Sequence, residues 1–374
     1  MKTIAFLVKK PAQFDVPLFQ HIAAAPAAGW RFVVIYLENP AEVLHDEEIN
    51  ANSDWGISLT AGYEWHCPPS PASIKAIKEL YDHLQPAVIF TNGYQFNYAP
   101  FIQVARGRQI PMGLRIDSIL GGKSAFSLMV RKWLMRWRYR YFGGFLTTGM
   151  LGYKYLDFIG IPASQQFWFP YCTHNQFFAA GLARQQRQQE IRDAHGINIG
   201  KPVVLGVCKF IERENPIDLL DAFIALNDTG LQLVMVGDGI QAALLKQRAG
   251  QHAHLHIFFP GYVKYTDLPL WYALATVFVH PALDEPWGVS LQEAMAAGCK
   301  LVASSGVGSA YDFIKEGENG FIYPVGKPNE LAVCIKNSLA LPEASNRRVT
   351  ANILTKWNYS NVWQHLQEAA AAIG

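Results

Sequence analysis

The sequence is poor in cysteine and in charged residues, and it lacks any long hydrophobic run. Its 374 residues include five cysteines, an odd number with no CxxC pair, which disfavours a disulfide framework or a structural zinc site. We therefore expect reduced thiols and a cytoplasmic location. No uninterrupted apolar run reaches the roughly 18 residues that a membrane-spanning helix needs. The apolar start, Thr3–Val8, stops at Lys9 and predicts a buried first strand rather than a signal peptide.

Two motifs for phosphate-bearing ligands are also missing. The sequence contains no Asp-x-Asp pattern, the carboxylate pair that can hold a phosphate-bound divalent cation, so we expect no catalytic metal. No G-x-G-x-x-G opens a helix after the first strand, which disfavours a dehydrogenase.

His252, His254 and His256 alternate and leave a metal site open, although a solvated edge is the favoured interpretation. A formal charge of +2 is too small to indicate nucleic-acid binding.

Half of the residues are hydrophobic, which is enough to build two ordinary domain cores in a chain of this length. Short apolar runs alternate with longer amphipathic segments, the pattern of a parallel sheet covered by helices. The predicted strands are Thr3–Val8, Arg31–Tyr36, Ala87–Thr91, Met112–Ile116 and Gly144–Thr148, then Pro202–Val207, Gln232–Val236, His254–Phe259, Val277–His280 and Lys300–Ala303. The fold class is therefore α/β, with domains over 1–172 and 173–355 and a C-terminal helix over 356–374. The sequence leaves the packing partner of this helix open, with the first domain as one candidate.

The segment that is richest in chemistry runs from His280 to Gly298. A predicted strand ends at His280, and Glu285 and Gly288 lie in the loop that follows. Ser290 or Val289 then opens a helix, whose free N–H groups and dipole favour an anion. Glu293 lies in the first turn of that helix, where its carboxylate can accept hydrogen bonds from a ribose diol, although either glutamate could also merely favour the helix start.

Together the two glutamates resemble the E-x7-E motif of the family-4 retaining glycosyltransferases. Further matching positions are Gly261, Tyr262, Leu268, Tyr272, Ala275, His280-Pro281, Glu285-Pro-Trp-Gly, Glu293-Ala-Met-Ala-Ala-Gly298, Gly308 and Gly317 to Phe321. This resemblance covers roughly residues 200–330 and implies the GT-B fold, in which two Rossmann-like domains face each other across a cleft. It implies that the first domain binds the acceptor and the second a nucleotide-sugar donor linked to UDP or GDP.

The resemblance also implies roles for single residues. Glu293 would hold the donor ribose, and Glu285 would contact the hydroxyls of the transferred sugar. Backbone groups of Trp287, Gly288 and Val289 would lie near the sugar and the diphosphate. The turn at Gly237 and Asp238 would lie at the nucleotide and Tyr262 near the base, although a common turn and a loop aromatic explain these three residues equally well.

The loop after the strand Pro202–Val207 departs from the family pattern. Lys209 matches the first of two cations that reach the diphosphate, but the expected second cation is replaced by Glu214. The neighbouring Arg213 is our substitute, with a solvated surface arginine as the alternative. We expect Arg213 to point toward the diphosphate and Glu214 to point away.

The first domain offers fewer signals. Arg115 and Asp117 flank one position near the end of a predicted strand, so their side chains should share a face. Asp117 is a candidate acceptor contact or base, whereas the alternative is a buried Arg–Asp pair that joins loops. Residues 127–142 combine five basic residues with interfacial aromatics and fit a helix on an anionic lipid surface. Because the spacing shows no clean apolar stripe, a packed helix beside the acceptor is the favoured alternative.

The resulting functional hypothesis is a retaining, metal-independent glycosyltransferase of polysaccharide or related biosynthesis, with Glu285, Lys209, Arg213 and Asp117 as the candidate catalytic residues. Its acceptor could be a saccharide, a lipid-linked glycan or a small metabolite. We expect no cofactor and no nucleic acid, and a location in the cytoplasm with peripheral contact to the inner membrane face through 127–142. A GT-B-shaped nucleotide-sugar epimerase and a catalytically silent nucleotide-sugar-binding protein remain as alternatives.

Overall fold

The computed structural model describes residues 1–25, 29–40, 45–46, 51–52, 55–70, 73–120 and 125–374. Its strands are β1 (Lys2–Val8), β2 (Trp30–Tyr36), β3 (His45–Asp46), β4 (Ala51–Asn52), β5 (Trp65–His66), β6 (Pro86–Asn92), β7 (Met112–Ile116), β8 (Gly144–Thr147), β9 (Gln166–Trp168), β10 (Val203–Val207), β11 (Gln232–Val236), β12 (His256–Gly261), β13 (Val277–His280), β14 (Lys300–Ser304) and β15 (Gly320–Tyr323).

The helices are α1 (Val16–Ala24), α2 (Ile74–Leu84), α3 (Ala99–Gly107), α4 (Ala125–Tyr139), α5 (Met150–Ile159), α6 (Asn175–Ala179), α7 (Gln185–His195), α8 (Pro216–Leu226), α9 (Ala242–Gly250), α10 (Leu268–Leu274), α11 (Ser290–Ala296), α12 (Ala310–Phe313), α13 (Pro328–Ala340), α14 (Glu343–Lys356) and α15 (Tyr359–Ile373). In the described part of the chain, no helix combines the length and the apolarity needed to cross a bilayer.

The chain divides into two units. Unit 1 lies within Met1–Val43, Ser58–Cys172 and Tyr359–Gly374, and unit 2 within Leu44–Ile57 and Thr173–Asn358. The sheet of unit 1 has the strand order β5-β2-β1-β6-β7-β8-β9, and that of unit 2 has β12-β11-β10-β13-β14-β15. All neighbouring strands of both sheets run parallel. In each sheet the order reverses next to the first strand, and ligands of such sheets bind at the carboxyl ends of the strands near that reversal.

Both sheets are buried on two faces, which explains the continuous apolar strands that the sequence displays. Unit 1 has one core beneath α2, α3, α4 and α5 and another beneath α1 and α15. The last helix, α15, adds Val362, Trp363, Leu366 and Ala369 to this second core, so it belongs to unit 1. In unit 2 the helices α8 and α13 cover β10, β11, β13 and β14.

The observed strands agree with most of the sequence-based predictions to within two residues. Met112–Ile116, Gln232–Val236 and Val277–His280 are identical to the prediction. The sequence reading missed β5, β9 and β15, which are two to four residues long. The predicted C-terminal helix over 356–374 corresponds to α15, which begins three residues later at Tyr359, whereas Lys356 is the last residue of α14.

Candidate functional site

Two loops at the carboxyl edge of the unit 2 sheet are joined by backbone hydrogen bonds. The Phe210 N–H donates to the carbonyl of Asp238 at 2.8 Å, and the Gln241 N–H donates to the carbonyl of Phe210 at 2.9 Å. A side chain at Gly237 is excluded, since its φ is +145° and a Cβ would lie 1.9 Å from the carbonyl oxygen of Cys208. The glycine turn after β11 therefore packs directly against the loop that carries Lys209, and backbone hydrogen bonds fix the two segments relative to each other.

Arg213 joins the two acidic residues that the sequence singled out in this region. Its Nη1 donates to Glu285 Oε2 at 2.6 Å, and its Nη2 donates to Glu214 Oε1 at 2.8 Å. The Arg213 carbonyl also accepts the Leu283 N–H at 2.8 Å, which ties the loop after β10 to the loop after β13. Glu214 is buried and lies on the same guanidinium as Glu285. A buried carboxylate is stabilised by a paired cation, and Glu214 has Arg213 as that partner. That Glu214 points away from a bound diphosphate stays a prediction.

The loop between β13 and α11 is fixed by backbone hydrogen bonds to the segment after β14. The Glu285 N–H donates to Gly306, the Gly308 N–H donates to Glu285 and the Ser309 N–H donates to Trp287, all at 2.8–2.9 Å. Gly288 has a φ of +87°, and a Cβ there would lie 2.9 Å from the His280 ring. Glycine is thus required at this position both for the backbone conformation and for the close approach to the histidine.

His280, at the end of β13, is a member of this site to which the sequence analysis gave no role beyond a strand end and a matching position. The side chain is buried, and its Nδ1 makes no hydrogen bond within the described residues. Burial lowers the pKa of His280 to about 4, with Glu285 opposing and Arg213 reinforcing that shift. The imidazole is therefore neutral at physiological pH.

Glu293 occupies the first turn of α11, as the sequence predicted, and is 5% exposed. The Tyr272 hydroxyl, on α10, donates to Glu293 Oε2 at 2.8 Å. Burial raises the pKa of Glu293 to about 7, and the hydrogen bond from Tyr272 opposes this rise. The sequence reading listed Tyr272 only among matching positions and did not connect it with Glu293, because no local spacing relates two helices that are adjacent only in space.

The neighbouring Gln292 was also missed. It is fully buried; its Oε1 accepts the Thr173 N–H at 3.3 Å, and its Nε2 donates to Asn175 Oδ1 at 2.8 Å and to the Trp357 carbonyl at 3.1 Å. The Trp287 ring stacks on Trp357 at 5.3 Å. The side chain of Trp287 is thus buried within unit 2, with 4% of its surface exposed.

The remaining candidates of unit 2 lie on the rim of the same edge. Tyr262 follows β12 and is 48% exposed, and Asp238 accepts the Gly239 N–H at 2.8 Å. Val289 is the N-cap residue of α11 and is half-buried. Lys209 is also half-buried in the loop after β10. The carboxyl ends of β10, β11, β12 and β13 thus bring the candidates of unit 2 to one edge.

In unit 1 Arg115 and Asp117 both contribute to the lining of one cavity, which agrees with the expected common face. β7 ends at Ile116, so Asp117 lies beyond the strand and is exposed, whereas Arg115 is fully buried. Arg115 Nη1 instead donates to the buried Asp15 at 2.9 Å, and the guanidinium lies 3.6 Å from the Tyr171 ring centroid. The alternative of a buried pair between Arg115 and Asp117 is therefore wrong, because the buried arginine pairs with an aspartate 100 residues away. Asp117 contacts the Tyr171 hydroxyl at 3.4 Å.

A cavity of about 620 Å³ opens at the carboxyl ends of β6 and β7 in unit 1. Its lining includes Tyr94, Phe96, Asp117, Ser118, Arg138 and Tyr141. Phe96 is 91% exposed, and Arg138 belongs to α4. The lining thus combines aromatic rings with a carboxylate, a hydroxyl and a cation, which are the groups that recognise a polyol with an apolar face.

The helix α4 displays an apolar stripe to solvent, contrary to the sequence-based interpretation. Its exposed apolar residues recur every three or four positions and are Phe126, Met129, Val130, Trp133, Leu134 and Trp137. The opposite side packs through Met135 and Tyr139 into the core. The guanidinium of Arg131 lies over Tyr155 and the ammonium of Lys132 over Phe158, so the basic residues flank the packed side. The stripe was overlooked because these basic residues interrupt it in the linear sequence.

The three alternating histidines do not act together. His254 hydrogen-bonds Asn227 at 2.7 Å, and His256, in β12, hydrogen-bonds Lys201 at 2.7 Å. Among the described residues, no three His, Cys, Asp or Glu side chains are grouped closely enough to hold a metal ion.

Residues 187–353 match a family model described as "Glycosyl transferases group 1". The alpha-monoglucosyldiacylglycerol synthase of Acholeplasma laidlawii is 25% identical over 151 residues, which are 39% of this chain and 37% of that protein. The GDP-mannose-dependent alpha-mannosyltransferase of Mycobacterium tuberculosis is 34% identical over 129 residues, which are 34% of this chain and 32% of that protein. The matches thus span less than half of these curated relatives.

Solved structures match the whole chain. A glycosyltransferase from Rickettsia africae superposes with a TM-score of 0.76 and 11% identity, covering 100% of this chain and 98% of that one. Anabaena HepE in complex with UDP superposes with a TM-score of 0.72 and 16% identity, covering 100% of both chains. The fold is therefore of the GT-B type, with two Rossmann-like units built on parallel sheets, as the sequence predicted.

Proposed function

We propose that the protein is a glycosyltransferase that takes a sugar from a nucleoside-diphosphate donor bound by unit 2. The observation that carries this proposal is the meeting of Glu285, Arg213 and the α11 start at the carboxyl edge of the unit 2 sheet. This edge lies within the segment that matches the glycosyltransferase family model. The UDP complex of HepE and the activities named for the curated relatives support the same class of donor.

Within this proposal Glu293 binds the donor ribose and Glu285 binds hydroxyls of the transferred sugar, as in the E-x7-E motif of family 4. The loop at Gly237 and Asp238 approaches the nucleotide, with Tyr262 beside the base. Lys209 and Arg213, together with N–H groups around Gly288 and Val289, stabilise the diphosphate. Half-buried cations and a helix N-terminus both favour the negative charge that grows on a leaving diphosphate.

The transfer is proposed to retain configuration and to need no metal. The acceptor attacks the same face from which the diphosphate leaves, and the diphosphate oxygen takes the proton of the acceptor hydroxyl. The sugar bond to the diphosphate breaks as the bond to the acceptor oxygen forms, so the protein contributes positioning and fixed charge. The sequence supports metal independence because it contains no Asp-x-Asp pair.

The acceptor is proposed to bind in the cavity of unit 1. Asp117 lines that cavity and is exposed, so it can accept a hydrogen bond from an acceptor hydroxyl. The apolar stripe of α4 and its basic flanks favour peripheral contact with an anionic membrane, since interfacial tryptophans and cations bind such surfaces. Because Arg138 of α4 also lines the cavity, we propose that this membrane contact serves a lipid-linked acceptor. A cytoplasmic location is part of the same proposal.

A panel of UDP- and GDP-sugars tests the function. Each is first screened by thermal shift, and the binding donor is then incubated with the protein alone, with vesicles of bacterial lipid extract and with soluble saccharides. Sugar transfer or donor hydrolysis that Glu285→Gln abolishes and Glu212→Gln preserves supports the proposal, since Glu212 is exposed in the neighbouring loop. Release of an isomerised sugar from donor alone would establish an epimerase instead. Donor binding without any turnover would identify a silent binding protein.

A further inference from the structure

Tyr272 and Glu293 form a hydrogen bond that none of the proposed roles of the site uses. Both side chains are buried: Tyr272 is inaccessible to solvent and Glu293 is 5% exposed. The Tyr272 hydroxyl donates to Oε2 at 2.8 Å, whereas Oε1 accepts no hydrogen bond from the described residues. One carboxylate oxygen is thus held by the protein, and the other remains available to a ligand.

The Tyr272 ring is held by packing contacts that do not involve its hydroxyl. It packs edge-on against Phe278 of β13 at 5.5 Å and against Phe178 of α6 at 5.7 Å. The Cys299 thiol donates to the Tyr272 carbonyl at 3.3 Å. A phenylalanine would keep these ring contacts and lose only the bond to Glu293, so the hydroxyl can be tested separately from the packing.

Other titratable groups near Glu293 do not take the place of Tyr272. Tyr265, in the loop before α10, interacts electrostatically with Glu293, but its hydroxyl hydrogen-bonds Thr173. Cys299 interacts with Tyr272. The remaining titratable residues on the elements that pack on α11 are His280 on β13, Lys300 on β14, Tyr311 and Asp312 on α12, and Glu343, Arg347, Arg348 and Lys356 on α14.

We propose that Tyr272 is the residue that prepares Glu293 for the donor: its hydrogen bond to Oε2 favours the carboxylate form of Glu293, in which Oε1 accepts a ribose hydroxyl. This inference rests on the proposed role of Glu293 at the ribose. A protonated carboxyl group loses acceptor capacity and carries a donor in its place, so it binds a diol less well than a carboxylate does. Tyr272 is therefore a positioning residue, which acts on the donor through Glu293.

The first measurement follows Glu293 directly and needs no nucleotide. The ¹³C signal of its side-chain carboxyl is assigned by its loss in Glu293→Gln and is titrated with pH in the wild type, in Tyr272→Phe and in Tyr265→Phe. Burial already raises the pKa of Glu293 to about 7, and the Tyr272 hydroxyl opposes that rise. We expect the Glu293 midpoint to rise by about one pH unit in Tyr272→Phe, since the ionised form loses a hydrogen bond. Tyr265→Phe should keep the wild-type midpoint.

The second measurement is calorimetry of UDP and GDP binding to the same three proteins over the same pH range. For the nucleotide that the wild type binds, we expect Tyr272→Phe to bind about ten times more weakly near neutral pH and to recover most of that loss at alkaline pH. Tyr265→Phe should bind like the wild type at each pH. Near-ultraviolet circular dichroism and thermal melting check that the variants are folded.

The outcomes separate this inference from the function on which it rests. An unchanged Glu293 midpoint in folded Tyr272→Phe, together with normal nucleotide binding by the wild type, overturns the inference and leaves the proposed function intact. A raised midpoint with wild-type affinity at every pH overturns the inference and also removes Glu293 from the ribose. An affinity loss that persists equally at alkaline pH means a structural role for Tyr272 and overturns the inference as well.

Discussion

Arg213 and Glu285 form a 2.6 Å hydrogen-bonded ion pair that joins the loop after β10 to the loop after β13. The same guanidinium binds Glu214 at 2.8 Å, so one cation serves two carboxylates. These three side chains together carry a formal charge of −1, and an incoming diphosphate would add to that charge. The pair with Glu285 therefore orients a proposed sugar-binding residue, while Lys209 contributes positive charge to the same edge.

Replacement of the cations tests this arrangement. We expect Arg213→Ala and Lys209→Ala each to lower kcat by about 10²–10³, and more than they raise the donor KM, because fixed positive charge matters most in the transition state. Arg213→Lys should recover only part of the loss, since an ammonium cannot bind two carboxylates in the fork geometry of a guanidinium. Steady-state kinetics measure both effects, with the exposed Arg187→Ala as the control. Wild-type kinetics in Arg213→Ala would remove Arg213 from the site.

Glu214 is expected to respond in the opposite direction. Glu214→Gln removes one negative charge beside Arg213, and Glu214→Lys replaces it with the cation that the family pattern contains at this position. Both variants should therefore keep or raise kcat, because less negative charge opposes the leaving diphosphate. The measurement is the kcat of each folded variant relative to the wild type. If Glu214→Gln is inactive, then Glu214 itself performs an essential step, and the roles proposed for Arg213 and Glu214 are wrong.

The proposed ribose contact of Glu293 is tested by nucleotide affinity. Glu293→Ala should weaken binding of the nucleoside diphosphate by roughly 2–4 kcal/mol, since the charge-assisted hydrogen bonding between its carboxylate and the ribose diol is lost. Glu293→Gln should be milder because its amide oxygen still accepts a hydrogen bond. Titration calorimetry gives the affinities, with Glu212→Ala as an exposed control. Unchanged affinity in folded Glu293→Ala would exclude Glu293 from the nucleotide site.

His280 predicts a loss of stability in mild acid. Burial lowers its pKa from 6.5 to about 4, so the folded state favours the neutral ring. The resulting stability is present above pH 6.5 and is lost as the pH falls from 6.5 toward 4, by on the order of 3 kcal/mol. Urea unfolding at several pH values measures it, and His280→Gln should lose this part of the pH dependence. The exposed His254→Gln should retain it; an identical pH profile in all three proteins contradicts the prediction.

The absence of an Asp-x-Asp pair predicts that turnover persists in excess EDTA. The proposed positive charge comes from Lys209, Arg213 and the α11 start, none of which a chelator removes. The test compares initial rates with EDTA, with added Mg²⁺ and with added Mn²⁺. If the rate is lost with EDTA and restored by either cation, then a metal ion binds the diphosphate during turnover.

The stripe of α4 predicts binding to anionic vesicles. At low salt the protein should float with phosphatidylglycerol vesicles and remain unbound with phosphatidylcholine, and high salt should weaken the binding by screening. Trp133 and Trp137 are 74% and 56% exposed, so the double change to serine should reduce flotation without unfolding the protein. Val333→Ser, at another exposed apolar position, is the control. Equal recovery of the double variant and the wild type in the floated fraction would reject α4 as the contact.

Much of the fold follows from local sequence pattern. The strands Met112–Ile116, Gln232–Val236 and Val277–His280 are continuous apolar runs because a parallel sheet is covered on both faces, and such runs are visible without a structure. The position of Glu293 in the first turn of α11 follows equally from spacing within one helix. The short strands β5, β9 and β15 escaped detection, since two to four residues give no measurable periodicity.

By itself, therefore, the sequence determined the α/β class, the two sheets and the presence of Glu285 and Glu293 at one sheet edge. The tertiary structure decided which side chains they meet. Arg213 lies 72 residues before Glu285, Tyr272 lies 21 residues before Glu293, and Asp15 lies 100 residues before its partner Arg115. A buried charge or hydroxyl takes the partner that the packing of strands and helices brings within hydrogen-bond distance, and no local pattern encodes that choice.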